Sequence, residues 1–163
     1  AIDQGELKIN ESEFDVNAIC TELVDNFREE AERKFLNIQL EKFPGELSIR
    51  SDKVIFYEIL QNLLSNAIKF SPQHKNIYIK TFSENENIRI EVIDEGPGFS
   101  DKDKSKMFNK FARLSAKPTG NEHSTGLGLS IVKKLCELAG ARLKLDSAEN
   151  QGAKFTVIFK KDI

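Results

Sequence analysis

Two stretches of alternating apolar and polar residues, N-I-Y-I-K-T-F (76–82) and N-I-R-I-E-V-I (87–93), flank the short polar run S-E-N-E. Alternation places every second side chain on one face of a strand, and a short polar break between two such strands specifies a hairpin. The second strand runs directly into D-E-G-P-G (94–98). Glycines permit positive φ and close backbone approach, so this segment is either a plain turn or the floor of a pocket. At average composition, D-x-G-x-G arises by chance in roughly 4% of chains of this size. The surrounding sequence has to decide between the two. A carboxylate at the end of a buried strand needs a hydrogen-bonding partner, and an exocyclic amino group such as that of adenine would serve.

Helices and strands alternate around this hairpin. Val16, Ile19, Cys20, Leu23, Val24 and Phe27 fall at helical spacing within residues 15–34, with Asp15 as N-cap. Short strand signals follow at I-Q-L (38–40) and E-L-S-I-R (46–50), split by F-P-G. Asp52 opens a second helix that runs to Phe70, with Phe56, Leu60, Leu63, Ala67 and Phe70 along one face; Ser71-Pro72 stops it. After Asp94 come roughly thirty residues with little strand pattern, a length that usually marks a functional lid or disorder. They hold the apolar cluster M-F-N-K-F (107–111) and the polar run 115–125. A helix over 127–138 ends at Gly140, and strands A-R-L-K-L-D (141–146) and A-K-F-T-V-I-F (153–159) close the chain. The pattern predicts one α+β domain, a sheet covered by helices on one face.

Charge and length narrow the function. The 163 residues suit one domain with a real core. A net charge of −2 makes no electrostatic case for nucleic acid or for a membrane surface. No apolar run approaches the ~20 residues that span a bilayer. The start, A-I-D-Q-G-E-L-K, has neither the pattern of a signal peptide nor an initiator methionine, so the chain reads as a fragment of something longer. Cys20 and Cys136 sit in apolar helical stripes and read as buried free thiols. His74 and His123 lie in polar segments and read as solvent-exposed.

On the other side of the second helix, Asn62, Asn66 and Lys69 stand at i, i+4 and i+7. Asparagine is a mediocre helix former, and a solvated face is the plain alternative to a shared ligand. An amide oxygen can ligate a hard cation such as Mg²⁺, and a lysine supplies point charge for phosphate. Further on, S-T-G-L-G-L-S (124–130) ends the long loop and opens a helix at Gly126 and Gly128, the context a phosphate cradle requires.

The order of these segments resembles the catalytic, ATP-binding domain of bacterial sensor histidine kinases, within the superfamily of gyrase, heat-shock chaperone, histidine kinase and mismatch-repair ATPases. The likeness rests on E-I-L-Q-N-L-L-S-N-A-I-K-F-S (58–71), D-E-G-P-G (94–98), M-F-N-K-F (107–111) and G-L-G-L (126–129), and runs from about residue 12 to 160. It implies a two-layer α/β sandwich of the Bergerat type. The sheet is mixed but mostly antiparallel, with about three helices on one face and an ATP lid over about 99–125. Residues 1–11 become a remnant of the linker from a preceding dimerisation domain, and 12–163 the catalytic domain.

The resemblance also implies roles. Asn66 ligates Mg²⁺, and Asn62 sits beside metal and phosphates. Lys69 contacts phosphate, with Phe70 beside it. Asp94 bonds the adenine amino group, on a floor shaped by Gly96 and Gly98, and Phe99 is a further cofactor-binding residue. Gly126, Leu127 and Gly128 meet the phosphates from the helix start, and Thr125 and Leu129 are further cofactor-binding residues. Lys110 and Arg113 are the lid cations for the outer phosphate. The expected activity is a protein-histidine kinase that binds ATP–Mg²⁺ and presents the γ-phosphate to a histidine on a separate dimerisation domain, with a response regulator as indirect partner. That places the fragment in the cytoplasm as a monomer, in a parent that is commonly anchored to the inner membrane. The usual H-E-x-R-T-P phosphoacceptor pattern is absent. Two other readings are a superfamily ATPase and a regulatory module, non-catalytic or of the serine-kinase type. Asn62 argues against the first, because related ATPases carry a glutamate there and an amide cannot take a proton from water.

Overall fold

The computed structural model describes residues 8–106 and 128–161. The chain enters through β1 (Glu11–Asp15), and Asp15 then caps α1 (Val16–Arg33), its carboxylate accepting from the Asn17 N–H at 3.1 Å. Strands β2 (Asn37–Glu41) and β3 (Ser48–Asp52) follow. Asp52 caps α2 (Lys53–Phe70): one oxygen accepts from the N–H groups of Val54 and Ile55, the other from that of Asn10 at 2.9 Å. A capping carboxylate of this kind is worth about 1 kcal/mol. Ser71, in extended conformation before Pro72, ends α2 as expected.

The predicted hairpin is β4 (Asn76–Glu84) and β5 (Asn87–Asp94), turning at Asn85 with φ 51°. A short helix, α3 (Asp101–Lys106), then α4 (Gly128–Ala139), β6 (Arg142–Ser147) and β7 (Ala153–Lys160) complete the described chain. Gly140, at φ 75°, closes α4 in the left-handed conformation anticipated for it.

Five strands form one sheet in the order β2-β4-β5-β7-β6. Only β2 and β4 are parallel, so the sheet is mixed and mostly antiparallel as the resemblance implied. One face is core: Ile77, Ile79, Ile88, Ile90, Val92, Phe155, Val157 and Phe159 are buried with the apolar sides of α1, α2 and α4. The α2 stripe Phe56, Leu60, Leu63, Ala67 and Phe70 is buried along its whole length. The opposite face carries Tyr78, Lys80, Phe82 and Lys154, all partly exposed, around a buried Glu91 paired with Arg89 at 3.2 Å and Lys154 at 3.8 Å.

Two elements were not anticipated. Strand β1 pairs with β3 in a separate antiparallel ribbon, Phe14 opposite Ile49. The helix α3 rests on Ser100, whose hydroxyl accepts from the Asp103 N–H at 3.1 Å. Cys20 and Cys136 are buried free thiols, and burial pushes both up to about 12. His74 is exposed as expected, its ring stacked on Phe35 at 5.4 Å; His123 lies outside the described residues.

Candidate functional site

Strand β5 lies between β4 and β7, so its last residue is flanked on both sides: Asp94 stands opposite Ile77 and Ala153. Its carboxylate accepts from the Gly96 N–H at 2.8 Å and also from the backbone of Ala153. Burial outweighs these two bonds and pushes the carboxyl up to about 6. Asp94 is therefore not an ordinary surface acid, and among the described residues no cation neutralises it. It is a carboxylate held in a polar notch at the edge of the core.

The loop after it is clamped from three sides. A β-carbon on Gly96 would lie 2.7 Å from the Phe70 carbonyl oxygen and 3.0 Å from Asp94 Oδ1, so the loop passes directly over the last turn of α2. Gly98, at φ 71°, has no room either: a β-carbon there would collide with the carbonyl of Ala148 and come within 2.7 Å of that of Gly152. Glu95 ties the loop to β4, its Oε1 accepting from the Asn76 N–H at 2.5 Å. Phe99 is buried and meets Phe70 and Phe155 edge-on, with centroids 6.2 and 6.3 Å away. Gly96, Gly98, Phe99 and Phe70 thus lie together beside Asp94.

The turn between β6 and β7 was missed. Ser147 Oγ donates to the Gly152 carbonyl at 2.6 Å and accepts from the Phe99 N–H at 3.0 Å. Asn150 N–H donates to the Pro97 carbonyl at 2.5 Å. Gly152, at φ 75°, packs so closely on the Asp94 carbonyl that a β-carbon would collide with it. The sequence signal was only N-Q-G between two strands, which reads as a turn and says nothing of the loop it supports.

On α2, Asn62, Asn66 and Lys69 are all partly buried, on the side away from the core stripe. Asn62 Nδ2 donates back to the Glu58 carbonyl at 2.8 Å. Asn66 differs: its Nδ2 is buried and has no hydrogen-bond partner among the described residues. Leaving a buried amide unpaired costs about 1–3 kcal/mol. A half-turn of the amide presents Oδ1 at the same place, and the two orientations are alike in shape. The Asn66 position therefore suits a ligand that can be met through oxygen, as Mg²⁺ is, and a bound cation would relieve the unpaired group.

Gly128 opens α4, and Leu129 is buried against the core. Lys110, Arg113, Thr125, Gly126 and Leu127 lie outside the described residues, as do Phe108 and Phe111. Among the described residues, no group of three His, Cys, Asp or Glu side chains could hold a metal.

Comparison with known proteins adds to this geometry. Residues 51–163 match the family described as histidine kinase-, DNA gyrase B-, and HSP90-like ATPase. The circadian input-output histidine kinase CikA of Synechococcus elongatus is 28% identical over 158 residues, 96% of this chain and 21% of that protein. The signal transduction histidine-protein kinase ArlS of Staphylococcus aureus is 33% identical over 113 residues, 69% of this chain and 25% of that protein. The chain thus spans a quarter or less of the curated relatives it matches. The catalytic domain of histidine kinase ThkA, in a nucleotide-free form, superposes with a TM-score of 0.81 at 25% identity, covering 95% of this chain and 97% of that one. ThkA has also been solved in complex with the response regulator protein TrrA; that likeness, at 24% identity and a TM-score of 0.79, covers 94% of this chain and 42% of the kinase.

Proposed function

As this chain belongs to the histidine kinase-, DNA gyrase B-, and HSP90-like ATPase family and has the fold of a histidine kinase catalytic domain, we propose that it binds ATP with Mg²⁺ between α2 and the 94–99 loop and presents the γ-phosphate to a histidine on another domain. The observation that carries this reading is the half-buried carboxylate of Asp94, which desolvation pushes up to about 6, at the start of a loop whose glycines are packed against backbone carbonyls. In this reading the exocyclic amino group of adenine meets that carboxylate. Asn66 holds the cation, Asn62 and Lys69 line the phosphates, and Gly128 begins the helix whose N-terminus receives them. Lys110 and Arg113 meet the outer phosphate, Gly126 and Leu127 contact the phosphates with Gly128, and Thr125 and Leu129 are further nucleotide-binding positions. Magnesium, when bound, neutralises phosphate charge; the chain's own residues position the nucleotide and exclude water from it.

The parent protein then carries the phosphoacceptor histidine in a dimerisation domain, and a response regulator takes the phosphoryl group onward. The chain acts on the cytoplasmic side, and residues 1–11 lead in from the preceding domain. Among the described residues, no helix is long and apolar enough to cross a membrane. Asn62 favours transfer over hydrolysis, since its amide cannot act as a general base.

Titrating ATP into the chain by calorimetry, with and without Mg²⁺, tests the pocket. One-to-one binding that is altered by Mg²⁺ supports it; no heat under either condition sinks it. Adding a histidine-bearing dimerisation domain should then give a phosphohistidine product. Rapid release of free phosphate without an acceptor would assign the domain to the ATPases instead, and a phosphoserine product on a partner would assign it to the serine-kinase type. Asn66→Ala should weaken Mg²⁺–ATP binding by about tenfold, the loss of one contact to a charged group, and metal-free ATP much less. Equal losses in both conditions would remove the metal role.

A further inference from the structure

Lys34 is buried, with 9% of its surface exposed, and lies in no motif that the proposed site uses. It is the C-cap of α1, its backbone N–H returning to the carbonyls of Ala31 and Glu32. Its ammonium crosses to the other helix and donates to the carbonyls of Ile68 at 2.7 Å and Lys69 at 3.0 Å. The last four carbonyls of any helix lack intrahelical partners. In α2, that of Ala67 takes the Ser71 N–H, those of Ile68 and Lys69 take Lys34, and that of Phe70 faces Gly96.

The root of this lysine is fixed as well. The Leu36 N–H bonds the Ala31 carbonyl, and the Phe35 carbonyl accepts from the His74 N–H at 2.9 Å. A positive charge also suits the negative end of the α2 dipole. Water or a glycine cap would satisfy the same carbonyls. A charge rooted in a second helix adds something those do not: it fixes where the turn lies relative to α1.

We propose that Lys34 is a positioning residue for nucleotide binding. It sets the turn of α2 that carries Asn66 and Lys69 on one side and offers the Phe70 carbonyl to Gly96 on the other. The cation contact and the base floor are then held by one ammonium. This inference rests on the reading of the site given above.

The test compares Lys34→Met and Lys34→Arg with the parent chain, alone and combined with Asn66→Ala. Dissociation constants for Mg²⁺–ATP are measured at a temperature where circular dichroism shows each variant fully folded. Lys34→Met should raise the constant about fivefold or more, and by a clearly smaller factor in the Asn66→Ala background, where only the part carried through Lys69 and the Phe70 carbonyl remains, the non-additivity expected of residues acting through one another. Lys34→Arg keeps the charge but changes the donor geometry, and should raise it about threefold with little loss of stability. An unchanged constant in folded Lys34→Met, or penalties that multiply fully, overturns the proposal. Should Lys34→Met not fold, Lys34→Arg decides: binding equal to that of the parent chain overturns it. Failure of the parent chain to bind Mg²⁺–ATP overturns the site itself, and this proposal with it. A loss on Asn66→Ala without one on Lys34→Met overturns this proposal alone.

Discussion

Asp94→Ala should cost roughly 1.5–3 kcal/mol of ATP binding, about 10- to 150-fold in affinity, because the bond it removes has a charged acceptor. An unchanged dissociation constant would take adenine recognition away from this residue. The parent chain should also show a pH dependence that the variant lacks. Its carboxyl is pushed up to about 6 by burial, against 3.8 for the free side chain. Between these values the folded state binds more protons than the unfolded state. The stability this group contributes is therefore complete below about pH 4 and is lost as pH rises through 6, a change of at most about 3 kcal/mol. Nucleotide binding runs the other way, since the amino group of adenine needs the ionised form. Affinity should rise from pH 5 toward pH 7, and binding near pH 6 should release protons, as read by calorimetry in buffers of different ionisation enthalpy. Using Asp94→Ala as the reference removes the titration of the phosphates themselves. A flat difference between the two proteins would mean that the charge on Asp94 plays no part. The carboxylate that suits the ligand thus weakens the empty domain, a familiar opposition between site and stability.

Gly98→Ala should be worse for the fold than any other single methyl added to the loop. A left-handed φ costs a non-glycine residue about 1–2 kcal/mol, and the forced retreat from the Ala148 and Gly152 carbonyls adds about 1–3 more. A total of roughly 2–5 kcal/mol is a large part of the stability of a domain this size. ATP binding should disappear with it, because the loop cannot shift without moving Asp94. Gly140→Ala supplies the comparison. Its φ is nearly the same, 75° against 71°, but a β-carbon there meets nothing within 4 Å. It should cost only the backbone share, about 1–2 kcal/mol. Equal urea midpoints for the two variants would show that the clamp around Gly98 is looser than the contacts imply.

The parts of the fold that were legible in the sequence are those whose signal is local. The β4–β5 hairpin shows in a period of two, α2 in a stripe at steps of three and four, and both long helices in the aspartates that cap them. Strand β1 was not legible because E-S-E-F-D offers one buried apolar residue, Phe14; its partner β3 lies almost forty residues on. Helix α3, D-K-D-K-S-K, has no apolar residue at all. Within the site, Asp94, Gly96 and Gly98 declared themselves by type and spacing. Ser147, Gly152 and Lys34 did not. They act on backbone atoms far away in the chain, and any sequence with a turn or a basic residue there looks the same.

Pairing of β5 with β7 joins positions separated by a long excursion: Asp94 stands opposite Ala153, about sixty residues later, a loop whose closure entropy must be met before the contact stabilises anything. The β4–β5 hairpin forms from neighbours, but until β7 arrives its second strand is an open edge and the carboxylate lacks the backbone bond from Ala153. A chain growing from its N-terminus therefore cannot complete the notch around Asp94 until residue 153 has left the ribosome. The motif residues are made early and become a site late.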